Sequence, residues 1–389
     1  MSTRKSSVNE KKRAAVGAST GELPRVRYAL VGLGYIAQIA VLPAFLHAQA
    51  NSELVALVSG DPKKRDQLAR KYKVEKTYDY EGFDDCLHSG EIDAVFLALP
   101  NSLHGEYAVR AANAGIHVLC EKPLAVSSDE CEEIIQAAAT NNVKLMVAYR
   151  LHFEASNLHA IEIVQGGKLG EPRSFDSVFT MQVRDLDNIR LQREMGGGVL
   201  HDIGIYCINA ARYLFQAEPE EVFAWSANNG DPRFDEIEEM VTAILRFPEE
   251  RLATFTVSFG AADVSTYRVV GTEGTLVVDQ AFEYAEGSTH LLTVGASKKR
   301  RSFAKRDQFA PELIYFSECI QLDRRPEPSG TEGIADVRII EALKASIVTG
   351  AAQSIDLIPR RRRPSLEQEI RRPAVKEPRL IHAHSPSKP

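Results

Sequence analysis

Short apolar segments separated by helical patterns fill the first third of the chain. Five such segments lie between residues 26 and 148, and each has the length of a buried strand. They are residues 27–31, 54–58, 94–99, 117–120 and 145–148. Because buried strands alternate with helices, the pattern predicts an α/β domain over residues 26–150, with a parallel sheet wrapped by helices.

The pattern changes after Arg150, where apolar residues begin to alternate with polar ones. Val241, Ala243 and Leu245 alternate in this way, as do Phe255 and Val257 farther along. A period of two predicts antiparallel strands with one buried face. We therefore expect a C-terminal α+β domain over 151–356 with a mostly antiparallel open sheet, which binds substrate. Its uncovered face favours a homodimer or homotetramer.

Both ends of the chain differ from its body. Residues 1–25 are polar and predict a flexible N-terminal arm. Residues 357–389 form a basic, Pro- and Arg-rich tail, in which nine Lys or Arg stand against three Asp or Glu from residue 358 onward. This composition favours a solvated, mobile end, and the alternative is a segment that lies across the acidic body or a partner subunit.

Charge and composition restrict the partners. The chain of 389 residues carries a formal net charge of −6, so no overall basic field would attract nucleic acid or a membrane. Its five cysteines show neither CxxC pairs nor zinc-type spacing, which predicts reduced thiols and no metal site. We expect a cytoplasmic protein with a small-molecule partner, because no signal peptide or membrane span is evident.

The first apolar segment runs directly into a glycine-rich turn and then into a helical pattern. The turn reads Gly32-Leu33-Gly34-Tyr35-Ile36-Ala37, the G-x-G-x-x-A form of the dinucleotide fingerprint. Gly32 permits a tight turn, Gly34 lets the backbone approach a pyrophosphate, and Ala37 lets the helix pack closely. The amides at the start of this helix would receive the phosphates. The first domain is therefore expected to be a Rossmann fold that binds NAD(P).

The end of the second apolar segment bears on the choice between NAD and NADP. Ser59-Gly60 follows that segment, where NAD-binding proteins usually carry a carboxylate for the ribose hydroxyl. Lys63, Lys64 and Arg65 stand instead in the first turn of a helix, where cations oppose the helix dipole. We therefore expect NADP rather than NAD, with Ser59 and Lys64 at the 2′-phosphate. A solvated basic face is the alternative for Lys63 and Arg65.

Three residues suit proton transfer to or from a hydroxyl. Lys122 follows the fourth apolar segment, at the sheet edge where such folds bind ligands. Asp202 and Tyr206 are four residues apart and share one helix face. We expect Tyr206 to donate or accept the proton, Asp202 to orient hydroxyls and Lys122 to support both. The alternatives are a surface pair of Lys122 with Glu121 and a core position for Tyr206.

Further motifs carry a family resemblance. They are Leu99-Pro100-Asn101-Ser102-Leu103-His104, Cys120-Glu121-Lys122-Pro123, Ala148-Tyr149-Arg150-Leu151-His152-Phe153, and Gly196-Gly197-Gly198 followed by Asp202-Ile203-Gly204-Ile205-Tyr206. With the glycine turn, they resemble the Gfo/Idh/MocA oxidoreductases over residues 27 to 356, and particularly the glucose-fructose oxidoreductase branch. Tyrosine at position 206 fits this branch, since the family more often has histidine there.

The resemblance implies a wider set of cofactor residues. Arg150 matches a family position near the nicotinamide, and Arg190 matches one that follows a tryptophan, although Ile189 stands here. The complete candidate cofactor set is Gly32, Gly34, Tyr35, Ile36, Ala37, Ser59, Gly60, Lys64, Tyr80, Leu99, Pro100, Asn101, His104, Glu121, Lys122, Arg150 and Arg190.

The implied activity is NADP-dependent hydride transfer between the nicotinamide and a sugar-like carbinol or carbonyl, either oxidation of an aldose to a lactone or the reverse. A tightly bound cofactor would make the protein a sugar–sugar oxidoreductase. Two alternatives remain open. One is an ordinary inositol-type or trans-diol dehydrogenase with exchangeable cofactor, and the other is a non-catalytic dinucleotide sensor on the same fold.

Overall fold

The first sheet is formed by the predicted N-terminal strands. In this computed structural model, which describes residues 23–356 and 363–387, most of the expected arm 1–25 lies outside the described residues. The strands are β1 Val26–Val31, β2 Ser52–Val58, β3 Lys76–Tyr78, β4 Ala94–Leu97, β5 His117–Glu121 and β6 Leu145–Ala148. All pair in parallel, in the order β3-β2-β1-β4-β5-β6. This Rossmann order reverses between β1 and β4, where open sheets bind ligands.

Helices pack against both sheets. The α-helices of the described residues are α1 Leu42–Ala44, α2 Pro62–Tyr72, α3 Phe83–Leu87, α4 His104–Asn113, α5 Ser128–Thr140, α6 Ala155–Gln165, α7 Ile205–Phe215, α8 Ala310–Gln321 and α9 Gly330–Thr349. A π-helical turn, Ala37–Val41, precedes α1. Helix α4 buries one side, including Ala108 and Ala111, against the first core, and its amphipathic pattern explains its position.

The second sheet has nine strands within the described residues. They are β7 Pro172–Gln182, β8 Glu221–Ala227, β9 Met240–Phe247, β10 Arg251–Ser258, β11 Gly260–Gly271, β12 Gly274–Asp279, β13 Ser288–Val294, β14 Ser297–Phe303 and β15 Gln353–Ser354. Their order is β14-β13-β12-β11-β7-β10-β9-β8-β15. β7 and β10 pair in parallel, whereas the other neighbours pair antiparallel. The predicted fold class is therefore confirmed.

The position of helix α8 differs from the expected division of the chain into two domains at residue 150. It follows the second sheet in sequence but packs on the first sheet, where Ser317 Oγ lies 2.8 Å from both Tyr28 Oη and Ser52 Oγ. Leu313 and Phe316 are fully buried in the same core. The first domain is thus completed by a segment that is remote in sequence, which local periodicity cannot reveal.

A buried charge cluster fixes α7 against α9. Arg212 of α7 is completely buried and donates to Glu332 at 2.7 Å, and also to Asp336 and Glu218. Removing one partner from such a cluster is strongly unfavourable, because the remaining charges stay buried. The cluster therefore sets the orientation of α7, the helix that carries Tyr206.

The described part of the tail, residues 363–387, does not extend into solvent as its composition favoured. Arg372 Nε donates to the carbonyl of His47 at 3.1 Å, and the Ile370 amide donates to the carbonyl of Phe153 at 3.4 Å. Backbone and side-chain hydrogen bonds hold this segment against the body, which a count of charges cannot predict.

No part of residues 23–356 or 363–387 covers one face of the second sheet. Apolar side chains on it are exposed, among them Trp225 at 68%, Ile244 at 43% and Leu252 at 45%. Their strand neighbours Ala224, Ala243 and Ala253 point inward and are buried, as the period-two pattern predicts.

All five cysteines are buried and free. Among the described residues, no helix is both long and apolar enough to cross a bilayer. No cluster of His, Cys, Asp and Glu suited to a metal ion occurs in the same part of the chain.

Candidate active site

A cleft of about 710 Å³ opens where the carboxyl ends of β1, β2, β4, β5 and β6 face the second domain. The candidate residues line it, except for Ala37, Gly60 and His104. Its size is within the range of small-molecule and cofactor sites. The structure therefore brings most of the predicted site together at the predicted edge of the sheet.

The glycine turn has the geometry that its sequence predicts. Gly32 has a φ of +92°, and a Cβ atom there would lie 2.3 Å from the carbonyl oxygen of Ala98. At Gly34 an added Cβ would meet nothing within 4 Å, so its backbone borders open space in the cleft. Ala37 lies behind the turn, fully buried. Gly32 is thus required by the turn, whereas at Gly34 the absence of a side chain leaves the backbone open to close approach of a ligand.

The basic residues after β2 have three different environments. Lys64 lines the cleft, and Lys63 is exposed. Arg65 donates to the carbonyl of Ser59. Asp61 caps α2 by accepting from the amides of Lys63 at 2.9 Å and Lys64 at 3.1 Å. Lys64 and the buried Ser59 thus both line this end of the cleft.

The loops after β3 and β4 form a second wall. A Cβ atom at Gly60 would lie 3.3 Å from the ring of Tyr80, so glycine lets that ring pack against the β2 loop. Leu99 and Pro100 line the cleft, and Asn101 Nδ2 donates to the carbonyl of Gly196 at 2.9 Å. This hydrogen bond ties the first domain to the glycine-rich loop of the second.

The structure places His104 behind the cleft, contrary to its position in the candidate cofactor set. It is fully buried behind the cleft, with Nδ1 2.8 Å from the Pro123 carbonyl and Nε2 3.1 Å from the Leu99 carbonyl. Burial lowers the pKa of His104 to about 4, so the ring is neutral and donates to one carbonyl. His104 positions the loops that follow β4 and β5 and is not part of the cleft surface.

Asp202 pairs with two cations. Lys122 Nζ donates to its backbone oxygen at 2.8 Å and to Oδ1 at 3.2 Å, and Arg190 Nε donates to Oδ2 at 2.6 Å. Burial would raise the pKa of Asp202, but Arg190 and Lys122 outweigh it and hold that pKa well below its usual range. For Lys122, burial would lower the pKa, but Asp202 outweighs it and raises the pKa above its ordinary value. At neutral pH, Asp202 is an anion and Lys122 a cation.

Tyr206 lies between two cations at the same site. Arg150 Nε donates to its hydroxyl oxygen at 3.2 Å, and the Arg150 guanidinium lies 4.9 Å from the ring centre. Lys122 Nζ lies 5.1 Å from the ring centre. Phe179 and Phe282 pack against the ring, with centroids 5.7 and 5.9 Å away. The ring is held by aromatic packing, and it lines the cleft.

A glycine loop and a π-helical turn position Asp202 and Tyr206. At Gly197 a Cβ atom would lie 2.5 Å from the Arg190 carbonyl, so the loop requires glycine there. The chain then forms the π turn Leu200–Gly204 before α7 begins, instead of the regular helix that we expected. π turns are frequent at functional sites, and this one leaves both side chains in the cleft. His201 points away from the cleft, towards Lys344 Nζ at 3.4 Å.

Glu121 lines the cleft beside Lys122 but pairs differently from the surface ion pair considered above. Its Oε2 accepts from the Lys122 amide at 3.3 Å, while Oε1 is buried without a hydrogen-bond partner. Burial raises the pKa of Glu121 to about 7, against the opposing effect of Lys122. Glu312 of α8 is fully buried nearby. Its burial, and to a smaller extent the negative charge of Glu121, raise the pKa of Glu312.

Several cleft residues were missed by the sequence analysis. They include Phe282, whose carbonyl accepts from Arg150, and Asn188, whose Oδ1 accepts from the Arg190 amide at 3.2 Å. Residues 382–387 of the tail also line the cleft. These residues carry no local motif, because they reach the site through tertiary packing alone.

The cleft fits a nicotinamide dinucleotide. Gly34 leaves space for a pyrophosphate, Lys64 offers a cation at the end of β2, and the unbonded Oε1 of Glu121 lies at the opposite end with Lys122. The 710 Å³ volume accommodates such a ligand together with a small substrate.

The two glycines of the turn can be tested as a matched pair. Gly32→Ala should lower the free energy of unfolding by at least about 2 kcal/mol, because alanine is strained at positive φ and its Cβ meets the Ala98 carbonyl. Gly34→Ala should leave stability within about 0.5 kcal/mol but weaken dinucleotide binding. Urea unfolding and fluorescence titration measure the two effects. Equal effects of both substitutions on stability would contradict this assignment.

Comparisons with known proteins agree with this geometry. Residues 26–149 match the family described as "Oxidoreductase family, NAD-binding Rossmann fold", and residues 157–277 match the "GFO/IDH/MocA C-terminal domain". An uncharacterised oxidoreductase of Rhizobium meliloti is 32% identical, over 85% of this chain and 99% of that protein.

Two further relatives are named for sugars. A D-xylose 1-dehydrogenase [NADP(+)] of Haloarcula marismortui is 31% identical, over 85% of this chain and 93% of that protein. The crystal structure of an aldose-aldose oxidoreductase from Caulobacter crescentus, complexed with glycerol, is 37% identical with a TM-score of 0.81, and covers 85% of this chain and 100% of that one. The resemblance found in the motifs is thus confirmed, and the chain belongs to the Gfo/Idh/MocA family of oxidoreductases.

Proposed function

We propose that this protein is an NADP-dependent oxidoreductase that transfers a hydride to or from a sugar or sugar-like substrate at carbon bearing oxygen. The observation that carries the proposal is the convergence of Lys122, Asp202 and Tyr206 in one cleft beside the glycine turn. The relatives named for D-xylose and for aldoses support the substrate class.

The reaction needs a proton at the substrate oxygen. In the reducing direction, a bound nicotinamide would supply hydride to the carbonyl carbon, and the electron pair of the C=O π bond would move to the substrate oxygen. Tyr206 donates its hydroxyl proton to the resulting alkoxide oxygen, and oxidation is the reverse of both transfers. Because aromatic packing holds the Tyr206 ring, its hydroxyl is preorganised for this transfer.

The charged residues have separate roles in this proposal. Lys122 keeps its proton, so it acts as a fixed cation that stabilises negative charge on the substrate oxygen. Asp202 accepts hydrogen bonds from substrate hydroxyls while Arg190 and Lys122 keep it ionised. Arg150 holds the Tyr206 oxygen at 3.2 Å and orients the hydroxyl.

Cofactor retention separates a sugar–sugar oxidoreductase with tightly bound NADP from the alternatives. An ordinary inositol-type or trans-diol dehydrogenase would release its dinucleotide at each turnover, and a sensor would bind it without turnover. When aldoses are added to desalted protein without external cofactor, a stoichiometric rise in reduced nicotinamide absorbance is expected for a matching sugar. A rise that needs added NADP would favour the exchanging dehydrogenase, and no rise even with added NADP or NAD would favour the sensor.

Removing the Tyr206 hydroxyl tests the proton-transfer role. Tyr206→Phe should lower kcat by about 10²- to 10⁴-fold while NADP affinity is retained, because the ring packing survives and the proton donor is lost. Tyr267→Phe is the matched control, since Tyr267 is a buried tyrosine of the same domain outside the cleft lining. A Tyr206→Phe enzyme with wild-type kcat would refute the role.

Substitution of two neighbouring lysines tests the preference for NADP over NAD. Lys64→Ala should weaken NADP binding about tenfold, or about 1.4 kcal/mol, and leave NAD binding unchanged, because a charge-assisted bond to the 2′-phosphate is lost. Lys63→Ala, one residue away and exposed, should change neither. Tighter binding of NAD than of NADP by the wild-type protein would show that Ser59 and Lys64 do not form a 2′-phosphate site.

The uncovered sheet face supports a homo-oligomer. An exposed apolar surface on one sheet face usually marks an interface, and Ile244 lies near the middle of this face between Phe223 and Thr254. Ile244→Lys should therefore convert a dimer into a monomer in size-exclusion chromatography with light scattering. Val348→Lys is the control, because Val348 is 85% exposed on α9. A wild-type protein that elutes as a monomer at micromolar concentration would contradict the interface.

A further inference from the structure

The end of the described tail crosses the mouth of the cofactor cleft. We define residues 381–387 as the C-terminal strap. The strap is held to the first domain by Gln38 and Asp61, and to the second domain by a hydrogen bond from the Arg184 amide to the Pro386 carbonyl at 3.0 Å. Because its two ends attach to different domains, the strap spans the cleft.

Gln38 acts as a specific anchor for the strap. Its Nε2 donates to the Ile381 carbonyl at 2.8 Å, and its Oε1 accepts from the Ile381 amide at 2.8 Å. Nε2 also donates to the Leu33 carbonyl at 2.9 Å, within the glycine turn. Gln38 is only 2% exposed, and a buried amide needs such partners. The strap therefore satisfies a polar group that belongs to the dinucleotide-binding turn itself.

The next residue, His382, turns the chain towards the end of β2. Its φ of +46° is in the left-handed region, which non-glycine residues adopt only when the surroundings hold them there. His382 Nδ1 lies 2.9 Å from Asp61 Oδ2. His382 also lines the cleft, as do Ser59 and Lys64.

This contact occupies a carboxylate near the end of the cleft that would meet the ribose. A carboxylate in this region favours NAD, because it accepts from the 2′-hydroxyl and repels a 2′-phosphate. Here Asp61 Oδ1 accepts from two amides of α2, and Oδ2 is paired with His382. Both oxygens are thus engaged, so this carboxylate is not free to accept from a ribose hydroxyl beside Lys64.

We propose that the C-terminal strap is part of the cofactor site: it closes over the bound dinucleotide, and His382 increases selectivity for NADP over NAD by pairing with Asp61. This inference rests on the proposed NADP dependence. The relatives described above are matched over 93 to 100% of their length, yet 85% of this chain is covered. The chain thus contains segments outside the length that it shares with them.

The first test compares the full chain with a chain that ends at Arg379. Stopped-flow measurement of NADP release should show release at least about tenfold faster from the shortened chain, because the strap no longer bridges the two domains. Ile381→Pro in the full chain should also accelerate NADP release, since proline lacks the backbone N–H group that donates to Gln38 Oε1. Release at the wild-type rate from both variants would overturn the closure.

The second test addresses selectivity. His382→Ala should reduce the ratio of the NAD Kd to the NADP Kd by about tenfold, measured by titration with each dinucleotide, because Asp61 regains a free carboxylate oxygen. His88→Ala is the control, since His88 is an exposed histidine on the first domain, outside the cleft lining. An unchanged ratio, or equal loss of both affinities, would overturn the role of His382.

These outcomes are distinct from failure of the proposed function. A full chain that binds neither dinucleotide, or that prefers NAD, would refute the NADP assignment before any variant is compared. A full chain that prefers NADP, and whose shortened form releases it equally slowly, would refute the strap alone.

Discussion

The site depends on one half-buried carboxylate that is shared by two domains. Asp202 lies on the second domain, whereas Lys122, which donates to it twice, follows β5 of the first. An ion that is partly removed from water needs partners that satisfy it, and here the partners are Lys122 and Arg190. The pairing fixes the register between the Rossmann edge and α7. The alignment of Tyr206 with the glycine turn therefore follows from an electrostatic requirement.

Other features of the second domain serve the same alignment. The Gly197 position lets the loop approach the Arg190 backbone, and the π turn Leu200–Gly204 brings Asp202 into the cleft without removing Tyr206 from it. Arg212 then locks α7 against α9 through buried carboxylates. Proton transfer tolerates little displacement, so this rigidity is what the proposed chemistry requires.

The parts of this protein that could be predicted from its sequence are those encoded locally. The turn at Gly32 is predicted by its glycine, because both the positive φ and the close approach of the Ala98 carbonyl require that residue. The strands are predicted by hydrophobic periodicity. Both signals lie within a few residues of sequence. The convergence of Lys122 with Tyr206 required in addition the rule that parallel strands end at one edge. The roles of these residues remain proposals, whereas their placement in one cleft is a structural result.

What could not be predicted depends on contacts remote in sequence. His104 belongs to a motif that lines the site in part, but its ring faces two carbonyls behind the cleft. The return of α8 to the first sheet leaves no periodic signal that distinguishes one sheet from the other. The tail is rich in Arg and Pro, a composition typical of solvated ends, yet backbone groups such as the Ile381 amide hold it. Composition describes side-chain solvation and contains no information on such backbone pairing.

The charge balance of the cleft connects the cofactor with the fold. Lys122, Arg150 and Arg190 converge around the carboxylate of Asp202, and the pKa of the neighbouring Glu121 is raised to about 7. Three cations held this close together repel one another, which is unfavourable where they are partly removed from water. An anionic dinucleotide would offset that repulsion and bind the folded chain selectively, which stabilises it by mass action. The same cations would then stabilise the alkoxide during hydride transfer, so binding and catalysis draw on one electrostatic arrangement.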